Sequence, residues 1–229
     1  MYSINANANL IYAAMPGAEQ MIDEKPTAVV IDDDISVREA LEPLLRLAGW
    51  QVQSFESASA FLAWSGPEGP ACVLLDVSLP DLNGLDLQTR IASERPEMPI
   101  IFLTGYGDVP MTVRAMKAGA SEFLTKPFDD TTLLDAVERA IDQSRQVIAE
   151  RASISEIEAR YAILSRRERE VMDLVVAGLL NKQVGFELGI SEITVKAHRG
   201  RVMEKMKARS FAELVKMGER LRLSADPRG

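Results

Sequence analysis

Six side chains that could handle a phosphoryl group together stand at the C-terminal ends of four short apolar runs. Asp32, Asp33 and Asp34 follow AVVI, Asp76 follows CVLL, Thr104 closes PIIFLT, and Lys126 follows SEFLT. Carboxylates held close to one another repel and raise one another's pKa unless a cation neutralises them. Oxygen ligands with no His or Cys nearby select Mg²⁺ or Mn²⁺, which keeps waters or a phosphoryl oxygen in its remaining positions. One carboxylate as nucleophile, Mg²⁺ to offset charge on the phosphoryl oxygens, and Thr104 and Lys126 to bind them would make a phosphoryl-transfer site. Taken alone, an acidic triplet in a turn is usually a solvated helix cap. Matching positions on four strand ends argue against coincidence.

The elements that must position these groups are legible as alternating runs. Strands are expected at 28–32 (AVVID), 50–55 (WQVQSF), 72–76 (CVLLD), 99–104 (PIIFLT) and 121–125 (SEFLT), with helices near 35–48, 57–64, 84–94, 108–118 and from 130. Parallel strands require crossovers, and these are right-handed, so five such units predict a doubly wound α/β domain. In the flavodoxin-like strand order 2-1-3-4-5, strands 1 and 3 are neighbours and their C-terminal ends flank the switch point where ligands bind. Asp32, Asp33 and Asp76 then converge although they are more than 40 residues apart. Asp34 and Ser57 can cap helix starts, and Gly49 and Gly119 stand where helices should end.

Between Asp130 and Leu164 there is neither Gly nor Pro, and apolar residues recur at Leu134, Val137, Ile141 and Ile148, with Ser144 in the heptad position. A second register follows with Ile154, Ile157, Tyr161 and Leu164. One long helix, or two with a break near 151–153, fits this pattern. Residues 133–141 are expected on the sheet, and 145–163 as a linker helix that helps pair two chains. From Ser165 the pattern is purely helical, about 166–177, 181–188, 192–207 and 210–222. Two short helices, a tight turn containing Gly189 and a longer basic helix make a helix-turn-helix arrangement.

Composition narrows the function further. The net charge of −8 conceals an asymmetry: residues 161–222 carry 13 Lys/Arg against 8 Asp/Glu, a balance of +5, which leaves −13 on the remainder. A basic segment joined to an acidic one points to a polyanion as partner of the C-terminal part. On the last basic helix, Ile190, Val195, His198 or Arg199, Val202 and Met206 share one face, expected to be core. Thr194, Lys196, Ala197, Gly200, Arg201 and Glu204 lie opposite. Small residues among basic ones let a helix settle into a major groove while Lys and Arg take phosphates or guanine edges. A single cysteine, Cys72, and a single histidine, His198, exclude an internal disulfide and a His-rich metal site. No apolar run approaches the roughly 20 residues of a membrane span, and the start lacks a basic secretory lead, so a cytoplasmic protein without a membrane partner is expected.

These motifs carry a resemblance. IDDD at 31–34, LLDVSLPDLNGLDL at 74–87, LTGYGD at 103–108 and FLTKPF at 123–128 resemble the receiver domain of two-component response regulators over residues 27–145. The resemblance implies that a sensor histidine kinase phosphorylates Asp76, and that Asp32, Asp33, Asp76 and the main-chain carbonyl of Ser78 help bind Mg²⁺. It also implies that Thr104 and Lys126 couple phosphorylation to the fourth helix, and that the Lys126-Pro127 bond is cis. The switch aromatic three residues before the lysine is Phe123, where the family more often has tyrosine; a phenyl ring can rotate inward but has no hydroxyl to donate. LSRREREVMDLVVAGLLNKQVGFELGISEITVKAHRGRVMEKMKARS resembles the LuxR-type helix-turn-helix, and the pair is similar to the FixJ/NarL group, with a long linker of the FixJ/StyR kind. That likeness implies Lys196, Ala197 and Gly200 at base edges and Asn181, Lys182, Thr194 and Arg201 near the backbone. Gly200 departs from relatives that carry a basic residue there.

The expected organisation is a tail at 1–26, a receiver at 27–144, a linker helix at 145–163, a four-helix LuxR-type domain at 164–222 and a tail at 223–229. The expected function is a DNA-binding regulator of transcription, not an enzyme, that forms a homodimer on phosphorylation and has double-stranded DNA and RNA polymerase as further partners. The alternative is a Mg²⁺-dependent phosphatase of haloacid-dehalogenase type, which also uses an Asp nucleophile with Thr and Lys. Asp32-x-Asp34 would supply its DxD. Asp129-Asp130 comes too soon after the lysine for its second acidic motif, and the C-terminal domain would be left without a role.

Overall fold

The computed structural model describes residues 25–105 and 109–225, with side chains as far as Arg222. Residues 1–24 of the expected N-terminal tail, positions 106–108 of the LTGYGD motif, and residues 226–229 of the C-terminal tail lie outside the described residues. The chain divides into two compact units, whose boundary falls between Ile148 and Ala149.

In the first unit five strands alternate with helices: β1 Thr27–Ile31, α1 Ile35–Leu47, β2 Gln51–Phe55, α2 Ala58–Leu62, β3 Ala71–Asp76, α3 Gly84–Glu94, β4 Ile100–Thr104, α4 Val109–Lys117 and β5 Glu122–Thr125. All strand pairs are parallel, and the order is β2-β1-β3-β4-β5. The fold class and the strand order are those expected. The central strands are buried on both faces, which is why they read as continuous apolar runs and not as alternation. One face, with Val29, Ile31, Val73, Leu75 and Phe102, packs on Phe61 of α2, Leu87 and Ile91 of α3 and Ala115 of α4. The other, with Ala28, Val30, Leu74, Ile101 and Leu103, packs on Leu41 and Leu45 of α1 and on the start of α5 (Asp130–Ala162). Each large side chain so buried contributes roughly 1.5–3 kcal/mol. Cys72 lies in this second core with no exposure, and burial pushes its thiol up to about 12, so it packs as a small inert hydrophobe.

Local chemistry sets the helix ends. Asp34 caps α1 by accepting from the Ser36 N–H at 2.8 Å, and Ser57 caps α2 by accepting from the Ala60 N–H at 3.2 Å. Helix α5 is a single continuous helix with no break at 151–153. Leu133, Ala136, Val137, Ala140 and Ile141 cover the sheet. Ser144, in the heptad position of the apolar pattern, is fully buried: its hydroxyl accepts from the Ala71 N–H at 3.0 Å and donates to the Glu97 carbonyl at 2.6 Å.

The second unit contains α6 Arg166–Val176, α7 Asn181–Leu188, α8 Glu192–Lys205 and α9 Phe211–Ala225. Its core joins Val171, Met172, Val175, Val184, Val195, Val202, Met206 and Leu214 to Ile157 and Leu164, with Tyr161 packed against them. Of the register expected at Ile154, Ile157, Tyr161 and Leu164, the structure packs Ile157, Tyr161 and Leu164 inside the helical unit. Arg160 donates to the Met206 carbonyl and Arg220 to the Ser153 hydroxyl, so polar groups of the same stretch are engaged there as well. Gly189 ends α7 with φ +64°, the left-handed conformation that the tight turn into α8 requires.

Candidate functional site

The first candidate site lies at the C-terminal edge of the sheet, beside the β1–β3 neighbourhood where crossovers change sides. Asp32, one residue past β1, and Asp76, the last residue of β3, are 2% and 8% exposed. The Lys126 ammonium, just beyond β5, donates to Asp32 Oδ2 at 2.7 Å and to Asp76 Oδ1 at 3.3 Å. Burial pulls the Lys126 pKa down, but the Asp32 hydrogen bond and the charges of Asp32 and Asp76 outweigh it and hold the pKa above the ordinary lysine value. The cis Lys126-Pro127 bond turns the chain directly after this residue, while the Lys126 N–H donates to the Thr104 carbonyl at 2.7 Å. Thr104, 2% exposed, is carried to the same edge by β4.

The backbone around the carboxylates is fixed at several points. The Asp34 N–H donates to Asp32 Oδ1 at 3.0 Å and the Ser78 N–H to Asp76 Oδ2 at 2.7 Å. Arg38, one turn into α1, donates to the carbonyls of Asp32 at 2.6 Å and Asp33 at 3.0 Å. Gly84 starts α3 under the β3 end: a Cβ there would stand 2.6 Å from the Asp76 carbonyl oxygen. Asp81 accepts from the Ala58 and Ser59 N–H groups, tying the β3–α3 loop to α2. Arg38, Gly84 and Asp81 are positioning residues that the sequence reading did not single out. The glycine was detectable in principle, inside the NGLDL run.

Some expected residues stand apart. Asp33 is exposed, and Asp34 is the α1 cap, where its Ser36 hydrogen bonds hold its carboxyl below the usual range. Phe123 packs against the core on the β4 side. It is half-buried, its ring 6.0 Å from that of Phe102.

The donor set suits a hard divalent cation. Two buried carboxylates share one ammonium and an exposed third carboxylate follows in sequence, so the edge keeps an excess of negative charge. Among the described residues no three Asp, Glu, His or Cys side chains form a preassembled cage. Mg²⁺ does not need one, since it is typically held by one or two carboxylates with water and phosphate oxygens completing the shell.

The second candidate site is the exposed side of α8. Val195, Val202 and Met206 are fully buried, as the face assignment expects, whereas Lys196, Ala197, Gly200 and Arg201 are exposed. Ser191 caps the helix through the Thr194 N–H at 3.1 Å, and the Thr194 hydroxyl lies 2.8 Å from that of Ser191. Lys182 is exposed on α7, and the Asn181 side-chain oxygen accepts from Arg199 at 2.6 Å. Arg199 also lies over the Phe211 ring, which commits it to the fold. Glu168, 3% exposed, was also not anticipated. It closes a capping box with Ser165 and pairs with Lys205 of α8 at 2.6 Å. The S-x-x-E spacing ahead of an apolar run is the signal that could have found it.

Comparison with known proteins assigns a family to each part of the chain. Residues 28–138 match the family described as "Response regulator receiver domain", and residues 162–218 match "Bacterial regulatory proteins, luxR family". Nodulation protein W of Bradyrhizobium diazoefficiens is 48% identical over 210 residues, covering 92% of each chain. This chain belongs to the two-component response regulators. Within that family, Transcriptional regulatory protein FixJ of Rhizobium meliloti is 42% identical over 191 residues, 83% of this chain and 94% of the relative. The solved response regulator StyR superposes with a TM-score of 0.73 at 46% identity, covering 85% of this chain and 98% of StyR. The chain is thus a response regulator with a LuxR-type DNA-binding domain, whose relatives are regulators of transcription and not enzymes. The phosphatase alternative finds no support, and the Asp34 carboxylate it would need is spent on a helix cap. Among the described residues no helix is long and apolar enough to cross a membrane.

Proposed function

We propose that Asp76 is the phosphoacceptor and that its phosphorylation switches this regulator between assembly states on DNA. The observation that carries the reading is the Lys126 ammonium lodged between Asp32 and Asp76. A carboxylate oxygen of Asp76 attacks the phosphorus of a phosphohistidine on the sensor kinase; the O–P bond forms, the N–P bond breaks, and the departing imidazole keeps the electron pair and takes a proton from solvent. Asp32, Asp33, Asp76 and the Ser78 main chain would hold Mg²⁺, or Mn²⁺, which supplies charge compensation for the phosphoryl oxygens. Lys126 exchanges its carboxylate contact for a phosphoryl oxygen, and Thr104 offers its hydroxyl to another.

Movement of Thr104 at the end of β4 alters the surface formed by α4 and β5. Val109, Val113 and Met116 are exposed there, Val109 by 77%, and Phe123 packs at the edge of the same region. Inward rotation of Phe123 and closure of a second copy over this apolar face would give a symmetric homodimer. The stability that phosphate adds to that state limits the shift in population. In the cytoplasm, where the chromosome is, two α8 helices would then read a two-fold double-stranded site, with Lys196, Ala197 and Gly200 at base edges and Asn181, Lys182, Thr194 and Arg201 at the backbone. RNA polymerase would be the partner that converts binding into transcription.

The test of the phosphoacceptor is direct. Incubation with acetyl phosphate and Mg²⁺ should add one acid-labile phosphoryl group to the wild type and none to Asp76→Asn. Stoichiometric label on Asp76→Asn would overturn the assignment.

A further inference from the structure

The exposed side of α8 has a feature that the basic residues do not explain. Ile193, in the first turn, is 79% exposed although it is β-branched and apolar. It stands opposite the core: Val195 and Val202 are fully buried on one side, and Ile193, Ala197 and Gly200 follow one another at i, i+4 and i+7 on the other. Nothing lies within 4 Å of the position a Cβ would take on Gly200, so the middle of this stripe is open. Lys196 and Arg201, both exposed, flank it. None of the three side chains in the stripe can donate or accept a hydrogen bond. Apolar side chains on a groove-facing helix have one specific partner among base edges, the C5-methyl group of thymine. In helix-turn-helix docking the N-terminal residues of the recognition helix reach the bases, and Ile193 is the second residue of α8.

We infer that Ile193 is a specificity-determining residue that reads a thymine methyl group in each half-site, with Lys196 and Arg201 supplying the flanking polar and phosphate contacts. This inference rests on the DNA-binding reading given above.

The test uses the full chain with Mg²⁺ and beryllofluoride, and a duplex enriched by that protein from random double-stranded DNA. Each thymine of the enriched site is replaced singly by deoxyuridine, which removes only the methyl group. At one thymine per half-site, the replacement should weaken wild-type binding by about three- to tenfold. Ile193→Ala should weaken binding to the thymine duplex by a similar factor and should be indifferent to deoxyuridine at that position, while Ile193→Val retains part of the discrimination. Circular dichroism of Ile193→Ala checks that the exposed substitution leaves the helices intact. Equal deoxyuridine effects in wild type and Ile193→Ala at every thymine would overturn the inference while leaving DNA binding standing. Failure of the wild type to enrich any sequence would overturn the DNA-binding reading itself, and the inference with it.

Discussion

Lys126 holds Asp32 more tightly than it holds Asp76, at 2.7 Å against 3.3 Å. If Asp32 and Asp76 hold Mg²⁺ as proposed, the cation would compete with the Lys126 ammonium for these carboxylates. Replacing Lys126 by Met should raise the apparent Mg²⁺ affinity by about three- to tenfold, measured calorimetrically. The same change should slow labelling by acetyl phosphate about tenfold or more, because a donor to the phosphoryl oxygens is lost. A fall in Mg²⁺ affinity would contradict this account of the crevice.

Gly84 allows α3 to start against the strand that carries Asp76. Gly84→Ala forces a Cβ to within 2.6 Å of the Asp76 carbonyl oxygen, a backbone group with little room to retreat. An overpacking cost of about 1–3 kcal/mol is expected for the receiver, seen as a lower midpoint of its unfolding transition in the full chain together with slower phosphorylation. A variant with unchanged stability and labelling would show that the β3–α3 junction is softer than its geometry implies.

Ser144, fully buried, accepts from the buried Ala71 N–H and donates to the Glu97 carbonyl. Ser144→Ala removes both hydrogen bonds and takes the side-chain acceptor from the buried Ala71 N–H, so destabilisation of about 1–3 kcal/mol is expected. Denaturant unfolding followed on the receiver transition measures it, and a loss below a few tenths of a kcal/mol would mean that water replaces the hydroxyl.

The Lys205 hydrogen bond, aided by the Ser165 N–H, pulls the Glu168 carboxyl from an ordinary 4.5 down to about 2. A carboxyl depressed on folding adds stability that is complete above its unfolded pKa and fades as pH falls through its folded one. The helical unit should therefore lose stability between about pH 4.5 and about pH 2, and Glu168→Gln should remove that part of the slope. Calorimetry of the full chain as a function of pH reads it directly; an identical slope in wild type and Glu168→Gln would assign the loss to other groups.

These residues also show what was legible in the sequence. AVVID, CVLLD and PIIFLT predicted strands to within a residue, because strands buried on both faces leave uninterrupted apolar runs; SEFLT did so too although the edge strand β5 is only part-buried, and strand order then brings Asp32, Asp76, Thr104 and Lys126 to one edge. Ser144 and Gly84 were not legible in the same way, since each answers to a partner remote in sequence or to the space left by another backbone. The stripe at Ile157, Tyr161 and Leu164 marks the same boundary. Its periodicity says that a face is covered, not by what, and the helical unit covers it from within. Ile193 shares the face of Ala197 and Gly200 by its spacing, but only its exposure shows that no neighbouring element among the described residues covers it.

The central claim, that Asp76 controls assembly, is tested most directly by sedimentation of the full chain with Mg²⁺, with and without beryllofluoride, on wild type and Asp76→Asn. The account predicts that beryllofluoride converts wild-type monomers to dimers and leaves Asp76→Asn monomeric. A wild type that is dimeric under every condition, or an Asp76→Asn variant that dimerises with beryllofluoride as the wild type does, would contradict it.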